Sequence, residues 1–137
     1  MLRKNAKIEL LKGIPLFSGC SKADLTAIAA IADELELPAA TTLIREGQSG
    51  RQFFVLVDGA VEVRRKGRKL PPRNDARFFG EISLLTDSPA TATVTTTSPV
   101  SVVVITPHDF RVLLKRMPGI QLKVLTALAE RLAPDMT

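Results

Sequence analysis

Tryptophan and tyrosine are absent from this chain, and cysteine and histidine occur once each. A single thiol, Cys20, forms no internal disulfide, which fits a reducing cytoplasm; the residue reads as a small side chain packed near a helix start. A single imidazole, His108, speaks against a metal cluster and against a histidine-based triad. The six phenylalanines sit mostly in apparent core strands, so no aromatic platforms interleave with the cations as single-stranded nucleic acid would require. Long apolar runs are missing too. The longest, around Val100 to Ile105, is far too short to span a bilayer. The charged stretch Met1 to Lys12 has no apolar core of the signal-peptide kind. No glycine-rich nucleoside-triphosphate loop or paired-carboxylate arrangement stands out. No enzyme, cofactor, metal or membrane partner is expected.

What is present suits one domain of 137 residues, long enough to bury a core, with an ordinary apolar share. The net charge of +5 is unevenly placed. Arg64, Arg65, Lys66, Arg68 and Lys69 sit together, with Arg73 and Arg77 close behind. Such a patch attracts phosphates or nucleic acid. Lys66-Gly67-Arg68 also reads as a hairpin tip, where charge is usually just solvated.

The chain runs helix, then many short strands, then helix. Asn5 to Lys12 makes a short amphipathic helix with Ile8, Leu10 and Leu11. Ile14-Pro15-Leu16-Phe17 is an apolar connector. Ser21 with Asp24 three residues on is an N-cap pattern before Leu25, Ile28, Ala29, Ile31 and Ala32. After Glu34 the period changes to two: Leu35/Leu37, Leu43/Arg45, Phe53/Val55/Val57 and Val61/Val63 read as strands. Gly47 and Gly50 flank a turn, and Asp58-Gly59 is a two-residue hairpin signal. Thr91 to Thr97 and Val100 to Ile105 are β-branched runs broken by Ser98-Pro99. This spacing argues for a barrel or sandwich rather than a parallel sheet. Helix returns at Thr106, with Pro107 and Asp109 suited to its first turn. Phe110, Leu113 and Leu114 form its stripe, which stops at Met117-Pro118-Gly119. The last helix carries Ile120, Leu122, Leu125, Leu128, Ala129 and Leu132. Its Leu122, Leu125, Ala129 and Leu132 seam either packs on a partner helix or covers the chain's own barrel.

The most informative stretch is Phe78 to Val94, FFGEISLLTDSPATATV. Gly80-Glu81 opens into Ile82-Ser83-Leu84-Leu85, then a polar turn at Thr86 to Pro89, then a threonine-rich strand. This resembles the phosphate-binding cassette of the cyclic-nucleotide-binding domain of the catabolite activator and cyclic-nucleotide-dependent kinase regulatory subunits. Ile14 to Gly19, Arg45-Glu46-Gly47, Phe53 to Leu56 before Gly59, and the two closing helices extend the likeness from Ile14 to Leu132. The resemblance implies a mainly β fold with flanking helices: an antiparallel eight-stranded β-roll, a double-stranded β-helix jelly roll. It divides one domain, 1–137, into a helical lead-in at 5–33, the roll at 34–106 and closing helices at 107–132. It also implies a cytoplasmic regulatory domain whose ligand is cAMP or cGMP.

On that likeness the ligand-binding residues are Phe79, Gly80, Glu81, Ile82, Ser83, Leu84, Ala90, Thr91 and Ala92. Gly80 lets the backbone approach a ligand. The turn at Ile82 to Leu85 points free N–H groups at an anion. Glu81 accepts from a ribose hydroxyl, and Thr91 matches the position associated with guanine. Ala90 departs from the pattern, because the family carries there an arginine that grips the cyclic phosphate. Losing that planar fork costs roughly 3–5 kcal/mol, which is a fall on the order of 10²–10³-fold in affinity. The segment Pro71-Pro72-Arg73-Asn74-Asp75-Ala76-Arg77 departs as well, with two prolines where strand donors belong. Arg77 is the nearest cation in sequence for the phosphate. The alternative is a degenerate domain with no nucleotide ligand, serving dimerisation or protein interaction, with a homodimer through the C-terminal helix. In the family the closing helices swing onto the pocket, and Leu122, Leu125 and Leu128 are the candidates for that lid. Nucleic acid is not expected to bind this chain alone, because the family's transcription factors continue into a helix-turn-helix.

Overall fold

The computed structural model describes residues 3–49, 52–71, 78–80 and 84–132. The elements run α1 (Lys4–Lys12), a 3-10 turn (Pro15–Phe17), α2 (Lys22–Ala30), eight strands, α3 (Pro107–Arg116) and α4 (Pro118–Leu132). The strands are β1 (Asp33–Leu37), β2 (Thr42–Ile44), β3 (Phe53–Asp58), β4 (Val61–Arg65), β5 (Arg68–Lys69), β6 (Phe78–Phe79), β7 (Thr93–Thr96) and β8 (Val100–Ile105). Two compact units emerge, one from Met1–Ile31 with Asp109–Thr137, the other from Ala32–His108.

In the helical unit the N-cap pattern holds as read. Ser21 Oγ accepts from the Asp24 N–H at 3.1 Å, and an Asp24 carboxylate oxygen accepts from the Ser21 N–H at 2.9 Å. This reciprocal box satisfies two donors that a helix start otherwise leaves orphaned. Asp24 also takes a hydrogen bond from Lys123 Nζ of α4. The Lys123 bond, and then the Ser21 backbone, hold the Asp24 carboxyl below its ordinary value, while the Asp24 bond holds Lys123 above its own. Phe17 and Phe110 are both fully buried, with ring centroids 5.9 Å apart.

A depressed carboxyl contributes stability above its unfolded-state pKa, about 3.9, and loses it as pH falls through the folded value. Asp24→Asn is therefore expected to unfold at lower urea than the parent at pH 6, with a smaller gap at pH 3. A gap of equal size at both pH values would place the effect in the cap rather than in the charge.

α4 buries Ile120, Val124 and Ala127, whereas Leu122 is 66% and Leu125 51% exposed. Ala129 is exposed and Leu128 half-buried. The apolar face read from the sequence is thus two stripes, and the seam of Leu122, Leu125 and Ala129 is not the one that is covered. The side chain of Leu132 lies outside the described residues.

The β unit holds two four-stranded sheets, ordered β1-β8-β3-β6 and β2-β7-β4-β5, with every pair antiparallel. The eight-stranded roll is what the resemblance implies. Both sheets supply one apolar cluster: Ile44, Phe54, Leu56, Ala90, Val94, Val100, Val102 and Val104, with Leu37, Leu43, Val61, Val63 and Phe79 packed against it.

Several local readings are corrected. Asp58-Gly59 is not a hairpin turn, because β3 pairs with β6 and β8 while β4 pairs with β5 and β7. Gly59 has φ of +100°, so the signal for a left-handed residue was sound. Its use is to carry the chain from one sheet to the other past Pro99 and Val100. Phe53 to Leu56 are all buried, so β3 does not alternate: it is covered on both faces. In β2 the buried residue is Ile44, not the Leu43/Arg45 side. Leu35 of the edge strand β1 is 42% exposed. The tip at Lys66-Gly67 is a true hairpin, with Arg65 opposite Arg68 and φ of +51° and +78° at the two turn residues, the pattern of a type I′ turn.

Candidate functional site

β6 brings Phe79 opposite Phe54 and Phe78 opposite Val55. Phe79 is half-buried against the apolar cluster. Gly80 follows at φ of +83°, a conformation in which a side chain is strained. Glu81, Ile82 and Ser83 lie outside the described residues, as do the 72–77 segment and Arg77. The chain is described again at Leu84, whose side chain is completely buried and so belongs to the core. Thr86 then shapes the polar turn: its Oγ1 accepts from the Ser88 N–H at 3.3 Å and donates to Ser88 Oγ at 3.1 Å.

Ala90 is held on both sides of its backbone. Its N–H donates to the Gln48 carbonyl at 2.9 Å, and its carbonyl accepts from the Gly47 N–H at 2.8 Å. Gly47, at φ of +86°, turns the chain after β2 so that these groups meet. The Ala90 methyl is buried in the apolar cluster among Ile44, Phe54, Leu56 and Val94. Thr91 is exposed and Ala92 half-buried. The Ala90 backbone is therefore pinned to the turn after β2, and its methyl group lies inside the apolar cluster.

Glu46 was not among the expected site residues. Its N–H donates to Thr93 Oγ1 at 3.0 Å, and its carboxylate accepts from the Lys66 N–H at 2.9 Å. It thus joins the turn after β2 to the basic hairpin tip. The only signal for it was its place beside Gly47, since nothing local in the sequence reports a partner twenty residues away.

Other chemistries gain no support. Burial first, then the Asp24 charge, push the Cys20 thiol up, with Lys123 opposing, which suits a packed thiol rather than a nucleophile. Among the described residues no group of three or more His, Cys, Asp or Glu side chains is placed to hold a metal. A groove of about 360 Å³ on the helical unit is lined by residues of α1 and α2, including Ile8, Lys12 and Leu25, and by Cys20 just before α2, and shares none with the cassette. No helix among the described residues is long and apolar enough to cross a membrane.

The geometry can be set against known proteins. Residues 34–117 match the family described as the cyclic nucleotide-binding domain. A cAMP-dependent protein kinase regulatory subunit of Aspergillus fumigatus is 35% identical over 94 residues, 67% of this chain and 23% of that protein. A cyclic nucleotide-gated potassium channel of Rhizobium etli is 31% identical over 123 residues, 90% of this chain and 34% of that protein. The chain thus spans about a quarter to a third of the length of these relatives. The crystal structure of the N-terminal domain of a transcriptional regulator from Streptomyces coelicolor superposes with a TM-score of 0.81 at 28% identity, covering 92% of each chain. With its two antiparallel sheets, its flanking helices and a family match across most of its length, this chain belongs to the cyclic nucleotide-binding domain family.

Proposed function

We propose that this chain is a ligand-sensing regulatory module, not an enzyme, that binds cAMP or cGMP weakly because position 90 lacks a guanidinium. It acts as one unit over residues 1–137, with the lead-in, roll and closing helices working together. The observation that carries this reading is the preserved frame of the cassette: Gly80 in its left-handed conformation and Ala90 bonded on both sides to the turn after β2. In this scheme Glu81 accepts from the ribose hydroxyl, while Gly80, Ile82 and Ser83 offer backbone donors. Phe79, Thr91 and Ala92 form the remaining wall, and the buried Leu84 and Ala90 support it from the core. The free thiol of Cys20 supports a reducing, cytoplasmic setting.

A second reading has its own observation. The Ala90 side chain is built into the apolar cluster, which favours a domain that has given up its nucleotide and acts through association. The exposed Leu122 and Leu125 are suited to a homodimer contact through α4. Titration calorimetry with both nucleotides, paired with sedimentation, separates the two. Weak saturable binding of one nucleotide is expected. No heat and no thermal shift with either at millimolar concentration, together with a stable dimer, would replace the sensing reading by the association reading.

A further inference from the structure

The basic hairpin sorts its charges by face. Side chains alternate along a strand, so Glu62 and Arg64 point one way and Val61, Val63 and Arg65 the other. On the first face the cations share a carboxylate: Arg64 pairs with Glu62, and Lys69 lies 4.0 Å from the same group. The second face is the one that packs Val61 and Val63 against the cluster containing Ala90. On it, Arg65 stands directly opposite Arg68. Both are exposed, and neither has an ion-pair partner among the described residues.

This placement costs stability, because like charges directly opposite on an antiparallel pair repel. Lys66 adds a third cation at the tip, and its N–H holds the Glu46 carboxylate. The fold itself needs none of this charge at a two-residue turn. Position also matters. β4 pairs with β7 as far as Arg64 opposite Thr93, so Arg65 is the first residue of β4 beyond that ladder, at the end where the chain enters β7 from Ala92. Arg65 therefore stands at the end of β4 nearest the segment that runs from Ala90 into β7, and Arg68 of β5 stands opposite it on the cluster side of the sheet.

We propose that Arg65 and Arg68 form the phosphate clamp of this chain, holding the cyclic phosphate of a nucleotide in place of the arginine missing at position 90. This rests on the nucleotide-sensing reading above. A guanidinium meets a phosphate through a planar fork of charge-assisted hydrogen bonds, and an anion between the two relieves their mutual repulsion.

The test is calorimetric titration of the intact chain with cAMP and with cGMP, in the parent and in Arg65→Gln, Arg68→Gln and Arg64→Gln. Arg65→Gln and Arg68→Gln are each expected to weaken the better nucleotide at least about tenfold, while Arg64→Gln, on the ion-paired face, changes it less than about twofold. The melting temperature of the free protein should hold or rise in the two inner-face variants, since a repulsion is removed. Arg65→Lys should recover only part of the loss. Parent binding that survives both inner-face changes would overturn the clamp and leave nucleotide sensing intact. A parent that binds neither nucleotide would overturn the sensing reading and the clamp with it. An equal loss in all three variants would mean a general field effect and also sink the clamp.

Discussion

Gly59→Ala is expected to lower the melting temperature by about 10–15 °C. Two effects add. Position 59 sits at φ of +100°, and a side chain there carries backbone strain of about 1–3 kcal/mol. A methyl group would also stand 2.5 Å from the Pro99 carbonyl oxygen and 2.7 Å from Val100 Cγ1. Those neighbours lead into β8, a central strand buried along most of its length, so they cannot retreat cheaply. Forced overlap of this kind costs typically 1–3 kcal/mol. Gly47→Ala supplies the comparison, since it has a similar φ but nothing within 4 Å of the added carbon. It should lose only the strain component. Calorimetric melting of the two variants reads the difference, and equal losses would remove the Pro99 contact as the cause.

Ala90→Arg is expected to act in opposite directions on the free and the liganded protein. The parent methyl is 5% exposed within an apolar cluster. An unpaired guanidinium there costs several kcal/mol, so the free variant should melt roughly 10 °C lower. With a cyclic phosphate in reach the same group gains charge-assisted bonds, and nucleotide affinity should rise at least about tenfold. By linkage, one nucleotide concentration well above both dissociation constants stabilises the variant about 1.4 kcal/mol more than the parent. A destabilised variant that nucleotide does not rescue would show that the phosphate never reaches position 90. An unaltered melting temperature would mean that the new side chain escapes to solvent. Combining Ala90→Arg with Arg65→Gln is informative too: if the hairpin clamp holds, its loss should matter less once position 90 carries a grip of its own.

Local chemistry made much of the fold legible. Ser21 and Asp24 cap α2 as their spacing indicates, and Phe110, Leu113 and Leu114 are buried together on α3. The β-branched run of β8 is a strand, and Lys66-Gly67 is a hairpin turn. The errors share one origin. A positive-φ glycine announces a change of direction, but the same Gly59 serves a hairpin or a passage between sheets, and only pairing over long range decides. Central burial likewise hides alternation: β3 lies between β6 and β8 in a covered sheet, so both of its faces are apolar and no period of two survives. On α4 the leucines were the stronger apolar signal, yet the smaller Val124 and Ala127 face inward.

The candidate site was legible as a motif but not as a set of contacts. The departure at Ala90 was visible in the sequence, whereas its backbone bridge to Gly47 and Gln48 was not. The division of the basic hairpin into an ion-paired and an unpaired face was latent in the alternation Val61-Glu62-Val63-Arg64-Arg65. It gained meaning only when β4 was found beside β7.

The pairing of β1 with β8 carries a kinetic consequence. Asp33 meets Val104 and Leu37 meets Val100, so the first strand of the roll finds its partner only in the last. β2 likewise waits for β7. Contacts this distant along the chain close large loops before any stabilisation returns, which slows folding relative to a helical domain of the same size. During synthesis β1 must therefore stay unpaired until β8 has emerged. Its acidic, partly exposed sequence Asp33-Glu34-Leu35-Glu36-Leu37 suits a strand that spends that interval in water.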